Sequence, residues 1–151
     1  MSATAPEPIR RGPEPRSAYA AFRPITTRWM DNDVYGHVNN TIYYSWFDTA
    51  VNAYLVEAGV LNLTGGREIA LVVETGCRYA KPVSFPETVE AGIRTSKIGT
   101  SSVCYEVGLF LAGETAAAAE GFFIHVLVDR ETRRPTPFPP KWRSALTAIF
   151  A

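Results

Sequence analysis

Ten consecutive residues, Asp31-Asn32-Asp33-Val34-Tyr35-Gly36-His37-Val38-Asn39-Asn40, gather two carboxylates, an imidazole, a glycine and an Asn-Asn pair. Directly behind them, Thr41 to Ala58 reads as a helix that is apolar almost all the way round. Desolvating a carboxylate is costly unless it is paired or used, so polar chemistry at the mouth of a buried helix needs a reason. The first turn of a helix also offers N–H groups with no intrahelical acceptor, at the positive end of the helix dipole. An anionic base beside a ready set of N–H donors points to acyl chemistry. The base supplies or activates the nucleophile and the donors hold charge on the carbonyl oxygen.

The elements that must position this segment follow from hydrophobic periodicity. The run Phe22 to Met30 is β-prone, with Pro24 tolerable only near a strand start or an edge. In the helix, Ile42, Trp46, Ala50, Tyr54 and Ala58 recur every four residues beside Tyr43, Phe47, Val51 and Leu55. Only Ser45, Asp48 and Asn52 form a polar strip. Asn39 or Asn40 is the natural N-cap and Gly59 the natural stop. The remainder reads as strands over Ile69 to Tyr79, Thr88 to Ile98, Ser101 to Leu111 and Ala116 to Val128. Gly99-Thr100 makes a tight hairpin and Ala112-Gly113-Glu114 a second turn. The small residues of the last strand are suited to a close approach by the helix. A Pro-rich stretch and a brief helix from Lys141 close the chain. One apolar helix and several antiparallel strands have one obvious packing, a sheet wrapped round the helix. Its open edge predicts a dimer that extends the sheet.

Composition narrows the function. The 151 residues suit one domain with one core, and 46% apolar, 20% charged and 12% aromatic residues describe an ordinary globular chain. Lys+Arg and Asp+Glu are 15 each, so no global field recruits nucleic acid or an acidic membrane. A local basic patch for a phosphorylated small molecule stays open. Cys77 and Cys104 lack metal or disulfide spacing and read as inert strand thiols. With two histidines far apart, no metal site is expected, and no cofactor is implied. No apolar run approaches the roughly 20 residues that span a bilayer. The N-terminus has arginines but no apolar signal core, so a cytoplasmic protein is expected. Residues 1–20 carry Pro6, Pro8, Pro13 and Pro15 and are expected to be a flexible tail, or an arm on a partner subunit. Residues 21–151 then form the domain.

The order of strand, Asp31-x-Asp33-x-x-Gly36-His37-Val38-Asn39-Asn40, buried helix, and meander with Tyr79-x-x-Pro82 and Gly99-Thr100-Ser101-Ser102 resembles the hot-dog-fold acyl-CoA thioesterases. The likeness spans about Ile25 to Arg143 and is nearest to the 4-hydroxybenzoyl-CoA thioesterase-like branch. It implies an α+β hot-dog fold, an antiparallel sheet around one long central helix. The implied activity is hydrolysis of an acyl-CoA by a homodimer or homotetramer. In that family the second Asp of Asp-x-Asp is the catalytic carboxylate, here Asp33. A backbone N–H at the helix start polarises the carbonyl, here at Asn40 or its neighbour Thr41. Where members carry Tyr or His, this chain has Asn39-Asn40, a difference that bears on acyl specificity. The other hot-dog branch carries a catalytic Glu inside the helix, and the comparable acid is Asp48.

Each residue also has a plainer role. Asp33 either attacks the carbonyl or activates water, or else caps a loop N–H. Asp31 is read as structural, accepting loop N–H groups or pairing with Arg28. Gly36 serves a backbone shape that a side chain would forbid. His37 orients water or donates to substrate, or holds the loop. Asn39 and Asn40 cap first and contact substrate second. Tyr43, with Tyr35 and Trp46, lines an apolar acyl tunnel or simply fills the core. Asp48 is expected to be buried and hydrogen-bonded, with a dimer interface as one setting. Arg78, Lys81, Arg94, Lys97, Arg133, Arg134 and Lys141 are candidate contacts for the phosphates of CoA. The competing functions are a hot-dog dehydratase, which His37 is poorly placed to serve, and a non-catalytic acyl-thioester binding module.

Overall fold

The computed structural model describes residues 12–151. Strand β1 (Ala21–Thr26) leads through a turn of 3-10 helix (Trp29–Asp31) to the long helix α1 (Ile42–Glu57). Strands β2 (Glu68–Tyr79), β3 (Thr88–Ile98), β4 (Ser102–Leu111) and β5 (Ala119–Asp129) follow, and the short helix α2 (Pro140–Thr147) comes last. All five strands form one antiparallel sheet in the order β1-β3-β4-β5-β2, so α1 connects its two edge strands. This is the α+β sheet-round-helix architecture expected from the sequence. The first strand is shorter than the β-prone run implies. The Asp31 N–H bonds back to the Arg28 carbonyl at 3.0 Å, turning the chain out of the sheet.

Alternation along the strands sends one set of side chains to α1 and the other to the outer face. Val107 and Leu109 of β4, Phe123 and Leu127 of β5 and Val89 and Ile93 of β3 meet Phe47, Ala50, Val51 and Leu55 of α1, all buried. The helix comes close because β5 has room for it. A Cβ on Gly121 would lie 2.2 Å from the Phe47 ring, and Ala118 and Ala119 beside it are fully buried. Gly59 stops α1 with φ +72°. At the far end, Trp142 and Leu146 of α2 enter the same core, and the Tyr54 hydroxyl donates to the Ala145 carbonyl at 2.6 Å.

The N-terminal boundary is corrected. Residues 1–11 lie outside the described residues, but the segment from Glu14 to Ala20, expected to be flexible, packs on its own sheet. Tyr19 is buried against Phe110 on the outer face, over Gly92 and Gly108. A Cβ on Gly108 would lie 2.6 Å from the Tyr19 ring, so two glycines of neighbouring strands make the slot the tyrosine fills. Backbone bonds from Arg16 to Thr115 (3.1 Å) and from Ala117 to Glu14 (3.2 Å) hold the segment down. That pairing also occupies Ala116 and Ala117, so β5 begins at Ala119 rather than at Ala116.

Two polar atoms sit inside this core without a partner among the described residues, Nδ1 of His125 and the hydroxyl of Tyr105. Burial pushes the His125 imidazole down to about 4 from an ordinary 6.5, so it is neutral at pH 7. Between those values the unfolded chain binds the proton that the folded one refuses. Stability is therefore complete above about pH 6.5 and is lost as pH falls towards 4. Urea unfolding at pH 7 and pH 5 should show a His125→Leu variant losing about 2 kcal/mol less than the parent over that interval. Equal losses in the two proteins would discount the imidazole. Separately, Tyr19→Ala should cost about 3 kcal/mol of stability, because it empties an aromatic slot.

Candidate active site

The Asp31–Asn40 segment is a tight, hydrogen-bonded loop rather than an open one. Asp31 is fully buried, and its carboxylate takes the Arg28 backbone N–H (2.8 Å), Nε (3.1 Å) and Nη2 (2.9 Å). Its carbonyl accepts the Asn39 N–H at 2.8 Å. The structural reading of Asp31 and its pairing with Arg28 therefore agree with the structure. From this anchor the chain makes a small turn. The Asp33 N–H donates to the His37 carbonyl at 2.9 Å, and the Gly36 N–H donates to the Asp33 carbonyl at 3.1 Å. Gly36 has φ +80°, the left-handed conformation that glycine adopts without strain.

The loop is pinned from outside by the segment between β2 and β3. Val38 N–H donates to the Val83 carbonyl (2.7 Å), Ser84 Oγ to the Gly36 carbonyl (2.9 Å) and Phe85 N–H to Asn32 Oδ1 (3.0 Å). Sequence reasoning gave no role to Asn32, Ser84 or Phe85. The only local signal was the rigidity implied by Pro82 and Pro86, and which loop they would face depends on the tertiary fold.

Within this frame the sequence-chosen residues separate. Asp33 is half-buried, and its Oδ1 accepts the Tyr35 N–H at 2.8 Å. Its carboxylate has no ion-pair partner among the described residues. Asn39 is the cap. Its Oδ1 accepts both the Thr41 N–H (3.0 Å) and the Thr41 hydroxyl (2.7 Å), and its carbonyl accepts the Ile42 N–H (3.0 Å). Asn40 is exposed, and its N–H has no acceptor among the described residues, which leaves one donor of the helix start free. Its carbonyl takes the Tyr79 hydroxyl at 2.7 Å. His37 is exposed and contributes its carbonyl, not its ring, to the loop. Tyr43 is buried, edge-on to Tyr79 at 4.9 Å between centroids and tilted against Trp46 at 5.2 Å.

Asp48 is corrected. It is exposed on the protomer, with Oδ1 accepting from Asn52 Nδ2 at 2.8 Å. The sheet covers the Phe47, Ala50 and Val51 side of α1, and the Ser45–Asp48 side is left bare. The two thiols are half-buried. Desolvation pushes Cys77 up to about 11 and raises Cys104, so both stay protonated at neutral pH. Of the candidate phosphate contacts, Lys81 pairs with Glu114 and Arg94 with Glu106, while the other five form no ion pair among the described residues.

A shallow depression of about 690 Å³ lies elsewhere, lined by Phe138, Pro140, Arg143, Ser144, Thr147 and Ala148. It holds no acid or histidine and flanks α2, which packs on the C-terminal half of α1, so it is not where the loop chemistry would occur. No group of three His, Cys, Asp or Glu side chains that could hold a metal occurs among the described residues. No helix among them is long and apolar enough to cross a membrane.

Comparison with known proteins adds three observations. The model of the thioesterase-like superfamily matches residues 27–146. The crystal structure of the PA5185 protein of Pseudomonas aeruginosa superposes with a TM-score of 0.90 at 50% identity, covering 92% of this chain and 97% of that one. The PA2801 protein of the same organism gives 0.79 at 33% identity, over 85% and 98%. The 1,4-dihydroxy-2-naphthoyl-CoA thioesterase Slr0204 of Synechocystis shares the fold at 16% identity, with a TM-score of 0.75 over 83% and 94%.

Arg28→Ala should leave the Asp31 carboxylate buried with only its backbone donor. Because the guanidinium side is 57% exposed, the expected cost is nearer 2 kcal/mol than the 3–5 kcal/mol of a fully buried pair. Thermal melting checks this, and an unchanged melting temperature would remove Arg28 from the account of the loop.

Proposed function

This chain belongs to the thioesterase-like superfamily, and from that premise we propose that it hydrolyses an acyl-CoA thioester to the free acid and CoA. Asp33 is the catalytic carboxylate and the Asn40 backbone N–H the donor to the thioester oxygen. One observation carries the reading. Among the described residues Asp33 has no cationic partner to neutralise it, and it is held in a braced loop that ends at a helix start whose Asn40 N–H meets no acceptor there. A structural carboxylate in the same loop, Asp31, looks entirely different, buried and saturated with donors.

In the nucleophilic route Asp33 attacks the carbonyl carbon, the C–S bond breaks, and water hydrolyses the mixed anhydride. In the general-base route Asp33 takes a proton from water as that water attacks. In both routes charge builds on the carbonyl oxygen, where a preorganised N–H contributes about 3 kcal/mol. Gly36, Asn39 and His37 border the substrate, with Gly36 and Asn39 also shaping the loop and the cap. Tyr43 gives the acyl group an apolar wall.

The site is completed by a second copy of the chain. Strand β2 is a sheet edge, and Leu71, Val72 and Val73 along it are 37%, 46% and 60% exposed, around a bulge between Val72 and Glu74. An apolar edge with free backbone groups is an unstable thing to leave in water. Pairing it with its twin extends the sheet and covers those side chains, and the bare side of α1 near Asp48 offers a further contact for a tetramer.

Free-thiol release from a panel of aliphatic and aromatic acyl-CoAs, read with a thiol dye, tests the activity. Asp33→Asn and Asp33→Ala should each lower turnover by about 100-fold or more with the circular dichroism spectrum unchanged. Near-normal turnover in both variants sinks the Asp33 assignment. Binding without thiol release across the panel would make the protein an acyl-thioester binding module instead. In sedimentation, Val73→Lys should shift the protein towards monomer and reduce turnover in parallel.

A further inference from the structure

Among the described residues, Tyr79 is the one side chain from the sheet that hydrogen-bonds the backbone leading into α1, and it does so beside the donor that the proposed reaction needs. Its hydroxyl donates to the Asn40 carbonyl at 2.7 Å, and its ring packs edge-on against Tyr43 one turn into the helix, at 4.9 Å between centroids. The Asn40 carbonyl belongs to the same peptide plane as the Thr41 N–H, and that N–H is held by Asn39 Oδ1 at 3.0 Å. The plane is thus gripped at both ends, by a strand residue on one side and by the Asn39 side chain on the other. The preceding plane is gripped once, through the Asn39 carbonyl accepting the Ile42 N–H at 3.0 Å. Its other end is the Asn40 N–H, which has no acceptor among the described residues. With both neighbouring groups tied, the direction of that free N–H is set before any ligand arrives.

We propose that Tyr79 is a positioning residue. Through the Asn40 carbonyl it orients the first turn of α1 so that the free Asn40 N–H is aimed in advance at the developing charge of the substrate. This rests on the thioesterase reading above and deepens it. The physical argument is preorganisation. A donor that must reorient as charge develops contributes less than one already aimed, and the difference appears in the chemical step rather than in binding. The hydroxyl is suited to the task because the Asn40 carbonyl accepts no backbone N–H among the described residues and is free to take it. The ring is equally needed, since its packing on Tyr43 holds the hydroxyl in reach. Tyr79 ends β2, and a strand end is rigid enough to transmit position from the sheet to the helix start.

Tyr79→Phe keeps the ring and deletes only the hydroxyl. Against the best substrate of the acyl-CoA panel, kcat should fall about 10-fold while KM changes less than about two-fold. The melting temperature should stay close to that of the parent. Amide hydrogen exchange supplies a readout independent of activity, since the Thr41 N–H, released from a doubly held plane, should exchange several-fold faster in the variant. Unchanged kcat, or kcat and KM moving together with a lowered melting temperature, would overturn the inference. So would unchanged Thr41 exchange. If the parent hydrolyses no member of the panel, the thioesterase reading fails by itself. The exchange experiment then still decides whether Tyr79 grips the helix start.

Discussion

A buried carboxylate that must be satisfied where it stands organises the approach to the central helix. Asp31 lies wholly inside the protein, and three donors of Arg28 converge on it from a single 3-10 turn. An uncompensated charge there would cost several kcal/mol, so the turn and the ion pair form together or not at all. Once they form, the Asp31 carbonyl receives the Asn39 N–H, and the loop between them has a fixed span to close. Gly36 permits the closure with a positive φ, and Val83, Ser84 and Phe85 hold it from the other side. The half-buried Asp33 inherits a defined position from its saturated neighbour.

The rest of the molecule is arranged so that this loop meets rigid material. Aromatic rings seated over glycines do this on both faces of the sheet. On the inner face Phe47 occupies the space that a side chain at Gly121 would need, which brings α1 down onto β5. On the outer face Tyr19 lies in the slot left by Gly92 and Gly108 and draws the N-terminal segment over β3 and β4. Close-packed contacts of this kind tolerate little displacement, so the start of α1 is located to within the slack of its packing. Tyr79 and Tyr43 then register that start against the end of β2.

Two features of the protomer leave apolar surface uncovered. One side of α1 is uncovered, and the β2 edge presents apolar side chains at a bulge. Both features are costly in isolation and ordinary in an assembly that joins edge to edge. The buried His125 and Tyr105 show the opposite economy. Their polar atoms, Nδ1 and the hydroxyl, are enclosed without partners among the described residues, and burial depresses the proton affinity of the imidazole.

Much of this was legible in the chain itself. Helical periodicity from Ile42, the Gly59 stop, the Gly99-Thr100 hairpin and the alternation of later strands depend on neighbours close in sequence, and they appear nearly where expected. The Asp33–Asn40 pairing of acid and helix start is equally local, lying within one short loop. What the sequence could not contain is partnership across the fold. Tyr19 belongs to a segment whose prolines read as disorder, because its stabilising contacts come from glycines more than 70 residues away. Asp48 reads as buried because its helix is apolar, but which side of that helix the sheet covers is a three-dimensional fact. Tyr79 is only the aromatic of Tyr79-x-x-Pro82 until β2 is laid beside α1. Short-range patterning thus determined the elements and the polar loop that leads into α1. The tertiary structure decided which groups are saturated and which stay free, because hydrogen bonding and burial are settled by residues distant along the chain.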